Sequence, residues 1–156
     1  MLNFNTPIQI RWSDLDPNTH LRHSVYYDWG ALSRVEFFNQ HGLTMSYMQQ
    51  HFIGPILFRE ECVFRKELHF GDKVFIDLQG TKAKKDFSRW SIRHTIYKVP
   101  DIISAIITVD GAWLDLTRRK LTIPPPIVEE LFNSMPVSQD FVWLESIDPT
   151  TGIKRQ

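Results

Sequence analysis

One long helical pattern followed by a run of strand patterns at short spacing limits this chain to few folds. Residues 23–40 place apolar side chains around most of a helix: Val25, Tyr26, Trp29, Ala31, Leu32, Val35, Phe37 and Phe38. A helix that is apolar nearly all round is expected to be buried. His41-Gly42 ends it, with Gly42 as the capping glycine, and residues 44–50 add one or two helical turns. Strand patterns follow at 55–68, 74–78, 90–97 and 102–117. In the third, Trp90, Ile92, His94 and Ile96 alternate with Ser91, Arg93, Thr95 and Tyr97, the period of a pleated strand. Turns fall at Phe70-Gly71-Asp72, at the basic stretch 82–86 and at Pro100-Asp101. Connections this short suit antiparallel pairing and are too short for parallel crossovers. The expected class is therefore α+β, an antiparallel sheet wrapped around a long central helix.

The flanks are weaker. Residues 6–12 (Ile8, Ile10, Trp12) read as a short strand before the helix. Gly111 marks a bulge or bend in the last long strand. Pro124-Pro125-Pro126 open a short helix ending near Phe132, and 134–156 show no period. At 156 residues the chain fits one domain. Lys+Arg and Asp+Glu balance at 18 each, which argues against nucleic acid as the main partner. The single cysteine, Cys62, cannot form an internal disulfide and suits a reducing compartment, so the cytoplasm is expected. It is most simply a small core residue. No stretch has the length of apolar residues that spans a bilayer, and the N-terminus lacks a signal-peptide pattern.

The chemistry concentrates in residues 14–23, Asp-Leu-Asp-Pro-Asn-Thr-His-Leu-Arg-His. Pro17 pushes Asp16 out of the α region, so the segment is a loop delivering acid and base groups to a helix N-terminus. The first-turn amides from His23 to Tyr26 lack intrahelical acceptors and sit at the positive end of the helix dipole. That end suits a carbonyl or an anion. Asp16 can equally be a turn former ahead of Pro17. Asp14 reads as a loop cap and His20 as a loop hydrogen-bonder. Arg22 reads as a partner of Asp14 or Asp16, or of a substrate carboxylate. A metal held by Asp14, Asp16, His20 and His23 is not expected, because no zinc spacing such as His-Glu-x-x-His occurs. Nucleotide-binding glycine loops and a Gly-x-Ser-x-Gly elbow are absent too.

Taken together, these motifs resemble hotdog-fold acyl-CoA thioesterases of the 4-hydroxybenzoyl-CoA thioesterase family, near the Tol-Pal-associated branch. Asp14-Leu15-Asp16-Pro17 and then His23-Ser24-Val25-Tyr26 match its Asp-x-Asp loop and helix opening. Phe70-Gly71-Asp72 and Trp113-Leu114-Asp115-Leu116, through Pro124-Pro125, match later motifs. The resemblance implies a hotdog domain over 1–133 with a C-terminal tail over 134–156. It implies hydrolysis of an acyl-CoA thioester without a separate cofactor. Asp16 would be the catalytic carboxylate, assisted by His23. Ser24, Val25 and Tyr26, with His20 beside them, would form the substrate and oxyanion site. The clusters Lys82, Lys84, Lys85 and Arg89, and Arg118 and Arg119, are candidates for the phosphates of coenzyme A, or are solvated turn charges. Glu36, on the helix face of Val25, Trp29 and Leu32, is expected as a buried hydrogen-bonded or interface residue. A homodimer or homotetramer is expected, since a lone hotdog leaves a sheet edge open. The rival reading is a non-catalytic hotdog protein that binds acyl thioesters or a partner, with Phe141 and Trp143 of the tail as its docking feature.

Overall fold

A computed structural model describes residues 4–145. Eight strands form one sheet: β1 (Asn5–Ile8), β2 (Ile53–Phe64), β3 (Val74–Asp77), β4 (Gln79–Ala83), β5 (Arg89–Lys98), β6 (Ile102–Asp115), β7 (Lys120–Thr122) and β8 (Val137–Trp143). The helices are α1 (His23–Gln40), α2 (Met45–Gln50) and α3 (Pro126–Ser134). β5 and β6 are the centre of the sheet. β5 takes β3 and β4 along one side and β6 along the other, and β6 carries β2 and β7. Every pairing is antiparallel except β4 with β8. The fold is the expected α+β arrangement, an antiparallel sheet around one long helix.

The helix limits follow the sequence. Gly42 adopts φ +82°, its N–H reaches the Asn39 carbonyl (3.2 Å), and the Leu43 N–H reaches that of Phe38 (3.0 Å). Those two bonds form a Schellman cap, closed by the buried pair Leu43 and Phe38. Burial of α1 is less complete than its composition suggests. Val25, Tyr26, Trp29, Phe37 and Phe38 are buried, but Leu32 and Val35 are each 47% exposed. Glu36 is half-buried and has no hydrogen bond or ion pair among the described residues.

Other differences lie where local pattern is weak. β1 stops at Ile8, and Trp12 opens a 3-10 turn with its ring 80% exposed. Lys82 belongs to β4, so the basic turn runs over 84–88. The extra residue near Gly111 sits on the opposite strand, where the register shifts between Leu57 and Arg59; β6 itself runs on. The segment after 134 shows no period, yet Val137–Trp143 pairs with β4. Its Trp143 packs on Phe141 and Phe87, with the Lys85 ammonium 4.3 Å from its ring centre. The aromatic residues of the tail therefore dock on this chain's own sheet. Residues 146–156 and 1–3 lie outside the described residues, with the rest of the tail and the start of the N-terminus.

Between α1 and the sheet lies a buried polar chain. His94, fully buried, meets the Asp77 carbonyl through Nδ1 (2.8 Å) and the Arg34 guanidinium through Nε2 (3.1 Å). Arg34 has no acceptor capacity, so Nε2 is the accepting nitrogen and Nδ1 carries the proton. Arg34 reaches Glu60 at 3.5 Å. Burial, then the Arg34 charge, push the His94 pKa down to about 3. The folded state thus refuses a proton that unfolded chains accept from their ordinary value of 6.5 downward. The stability His94 contributes is complete above that value and is lost as pH falls from there toward 3. Asp77, pushed up by burial, acts in the opposite sense, but only near the ordinary carboxylate range. Urea midpoints at pH 7, 6 and 5 test this. The unaltered protein should lose about 1.4 kcal/mol more per pH unit than His94→Gln below the ordinary histidine value. Parallel slopes would refute it.

Candidate active site

The loop before α1 is held by its own carboxylates. Asp14 is buried and accepts the Arg11 backbone N–H (2.9 Å) and guanidinium (3.0 Å). Burial alone would raise its pKa; the Arg11 hydrogen bonds and charge outweigh it and hold the carboxyl below its ordinary value. Asp14 is the expected loop cap. Asp16 closes the next turn. Its Oδ1 accepts the N–H groups of Asn18 (2.8 Å) and His20 (3.1 Å), and its carbonyl accepts that of Thr19 (3.0 Å). Pro17 supplies the fixed φ of the second turn position, and Thr19 is forced to φ 65°. A β-branched residue there is strained, so the surrounding bonds over-determine the loop. Asp16 is therefore a turn former through one oxygen, while its Oδ2 takes no hydrogen bond among the described residues.

The loop is then sewn onto the segment after β2. The Leu21 N–H donates to the Leu68 carbonyl (2.8 Å), and His20 pairs with His69 as an isolated antiparallel bridge. Phe70-Gly71-Asp72 forms the expected turn, with Gly71 at φ +91°. Asp72 accepts the His69 N–H (2.9 Å) and the Lys98 ammonium (2.9 Å). These hold its pKa down against the upward push of burial.

Between the two segments opens a cleft of about 360 Å³. Asp16, His20, His23 and Tyr26 line one wall, and residues 64–67 at the end of β2 line the other. Four expected residues thus meet in one place. Two corrections apply. The Val25 N–H is already taken by the Arg22 carbonyl (3.0 Å), and Val25 is buried in the core. Of the first three helical amides, those of His23 and Ser24 remain without an acceptor among the described residues. The Arg22 guanidinium bonds neither carboxylate; it meets Ser24 Oγ (3.0 Å) and the Ser13 carbonyl (3.2 Å), while the Arg22 backbone N–H donates to the Asp14 carbonyl (2.8 Å). Asp14 faces Arg11 instead of His20 and His23, so the four-residue acid and histidine group does not assemble.

Tyr26 contributes its ring as well as its backbone. It is 4% exposed and packs edge-on against Phe64 at 5.0 Å. Burial, followed by the nearby Cys62, Glu67 and Asp16, pushes its hydroxyl up to about 12. It stays a protonated donor at the cleft wall. Neither this hydroxyl nor Phe64, Arg65, Lys66 and Glu67 stood out in the sequence. Their one signal is the charged run 65–67 interrupting an apolar strand, and only the β2–β6 register brings it beside Asp16. Cys62 is half-buried, its thiol pushed up to about 11 mainly by burial.

The basic residues divide. Lys82, Lys84 and Arg89 line a separate open groove of about 550 Å³ with Phe58, whose ring lies 4.5 Å from the Arg89 guanidinium carbon. Lys85 sits on Trp143 instead. Arg118 and Arg119 are on the tight turn after β6, where Asp115 accepts the Arg118 N–H and Arg119 adopts φ 56°. None of these residues lines the Asp16 cleft. Arg89 stands opposite Ala112 on β6 and Phe64 opposite Ala105, a separation of about 23 Å at the rise of a strand.

The fold and this cleft define a thioesterase-like protein. Residues 10–131 match the Thioesterase-like superfamily, and the chain belongs to that family and has the hotdog fold. Among solved structures it is similar to a 1,4-dihydroxy-2-naphthoyl-CoA thioesterase from Synechocystis, at 15% identity and TM-score 0.77 over 85% of this chain and 96% of that one. It is also similar to a Staphylococcus aureus protein in complex with CoA, at 16% identity and TM-score 0.78 over 88% of each chain. A DHNA-CoA thioesterase from the same organism gives 15% identity and TM-score 0.75 over 85% and 90%. No curated protein matches the sequence significantly. No helix among the described residues is long and apolar enough to cross a membrane.

Proposed function

We propose that this protein hydrolyses an acyl-CoA thioester to free acid and coenzyme A, as an enzyme of the 4-hydroxybenzoyl-CoA thioesterase type. One observation carries the reading: Asp16 presents an unbonded carboxylate oxygen in a cleft shared with the uncapped start of α1. Asp16 Oδ2 takes a proton from water as the water oxygen attacks the thioester carbonyl, or attacks that carbon itself to give an anhydride that water then opens. The carbonyl oxygen gains negative charge and is met by the His23 and Ser24 N–H groups at the positive helix end, and by the Tyr26 hydroxyl. The C–S bond breaks, and the thiolate, whose conjugate thiol titrates near about 8.5, leaves and takes a proton. His23 and His20, at the mouth, are in reach of the substrate.

A second copy completes the molecule in this reading. β2 pairs only with β6 among the described residues; Leu57, Phe58, Val63 and Phe64 of β2 are exposed, as are Leu32 and Val35 of α1. An exposed apolar edge of that length is a pairing surface. Antiparallel pairing about a twofold axis sets the Ile53 end of one β2 against the Phe64 end of the other. It thereby draws the basic groove of Lys82, Lys84 and Arg89 toward the other copy's cleft, where the phosphates of coenzyme A need cations. The Staphylococcus aureus relative solved with CoA supports that ligand class, and a single half-buried thiol suits the cytoplasm.

The test is thiol release from short, long and aromatic acyl-CoAs, with the assembly measured by analytical ultracentrifugation. Turnover by a dimer or tetramer supports the proposal and names the acyl class. A monomer, or the absence of turnover on every acyl-CoA, overturns it; in the second case binding of CoA alone would favour the non-catalytic reading. Tyr26→Phe is expected to lower kcat roughly 10- to 100-fold with KM little changed. Equal kcat for the two proteins removes the hydroxyl from the oxyanion site.

A further inference from the structure

The two walls of the cleft carry a second set of groups that the hydrolysis does not use together. His20, Glu67 and His69 each turn one ligand atom toward the others, and the three atoms lie within 4.8 Å of one another. We propose that they form a binding site for a divalent cation of the zinc type at the mouth of the cleft.

The donor set is two imidazoles and one carboxylate, which suits a borderline cation and leaves a fourth position open. The spacing fits as well. Around a tetrahedral zinc, with bonds of about 2.0–2.2 Å, ligand atoms stand about 3.3–3.6 Å apart. His20 Nε2 and Glu67 Oε2 are already 3.3 Å apart. The His20 and His69 rings are edge to face, their centres 4.9 Å apart. The backbones of these two histidines are fixed relative to each other by the isolated bridge, so closing the third ligand needs only side-chain rotation. Behind His69, Asp72 Oδ2 stands 3.9 Å from Nδ1, beyond hydrogen-bond distance; a small turn of the ring would let it orient a liganding histidine. Asp72 is itself fixed by the His69 N–H and Lys98.

The site joins two separate stretches of chain. His20 comes from the loop that holds Asp16, Glu67 from the opposite wall, and His69 from the segment just beyond that wall. A bound cation therefore clamps the walls together and restrains the loop at the carboxylate. Because binding favours only the folded state, it raises thermal stability.

The full chain, freed of metal with a chelator, is to be titrated with zinc chloride by calorimetry and with cobalt chloride by visible absorption. The expected result is one ion per chain, with the intense bands of tetrahedral cobalt and a higher thermal midpoint in zinc. Glu67→Gln should weaken binding at least about tenfold, and His20→Ala or His69→Ala should abolish it. His41→Ala and His51→Ala, whose rings engage their own helices, should bind like the unaltered protein. Glu67 is 65% exposed, so its variant folds and decides the matter if a histidine variant does not. No saturable binding at one ion per chain, or binding that Glu67→Gln leaves unchanged, overturns the proposal.

Discussion

Asp16→Asn should lower thiol release from the best acyl-CoA substrate at least about a hundredfold while the protein stays folded. The two effects separate because the two oxygens of Asp16 do different work. Oδ1 accepts the Asn18 and His20 N–H groups, and an asparagine carbonyl oxygen can accept both. The turn, and with it the docking of the loop on the segment beyond β2, should survive. The asparagine nitrogen then stands where Oδ2 was. It can neither accept a proton from water nor attack a carbonyl, so the base or nucleophile is lost. Asp16→Ala, which removes both functions, should lower activity and stability together. The check is kcat/KM for both variants beside their thermal midpoints. Turnover within a few-fold of the unaltered protein in a folded Asp16→Asn would reduce Asp16 to its role in the turn.

Gly111→Ala is the substitution expected to damage the fold most. An added Cβ would lie 2.4 Å from Cη2 and Cζ2 of Trp90 and 2.9 Å from its Cε2. The indole cannot retreat: Trp90 is 2% exposed and is wedged against Trp113 and Phe132, each with ring centres 6.1 Å away. Either β6 moves, breaking its ladders with β5 and β2, or the Trp90 ring leaves its rotamer. Overpacking of this kind costs about 3 kcal/mol or more, a fall in thermal midpoint of roughly 6–12 °C for a domain this size. Gly71→Ala is the control. It meets no atom within 4 Å but must hold φ +91°, and should cost about 1–2 kcal/mol. Gly111 has no positive φ, so a loss in urea denaturation no larger than that of Gly71→Ala would mean that the Trp90 ring yields to the added Cβ.

Much of this was legible in the residues because local signals were strong. The limits of α1, its capping Gly42, the Phe70-Gly71-Asp72 turn and the alternation of β5 follow from the conformations those residues favour and the period of their apolar faces. The alternation even put His94 on the inward face. It could not name Arg34 as its partner, sixty residues earlier on a helix. Burial of α1 was overestimated for a related reason. Its apolar circumference is real, but one chain covers only part of it, and Leu32 and Val35 are left exposed.

The loop of residues 14–23 shows the division most clearly. Its sequence determined that Asp16 would leave the helical region before Pro17, and that acid and imidazole groups would collect at the start of α1. Both are consequences of backbone sterics within a few bonds. The opposite wall of the cleft, residues 64–67, and the approach of His69 to His20 were decided by the tertiary structure alone. They depend on the register of β2 against β6 and on the Leu21–Leu68 bond, which join segments more than forty residues apart. The same holds for β8: its seven residues have no apolar period, and the open side of β4, not their own propensity, makes them a strand.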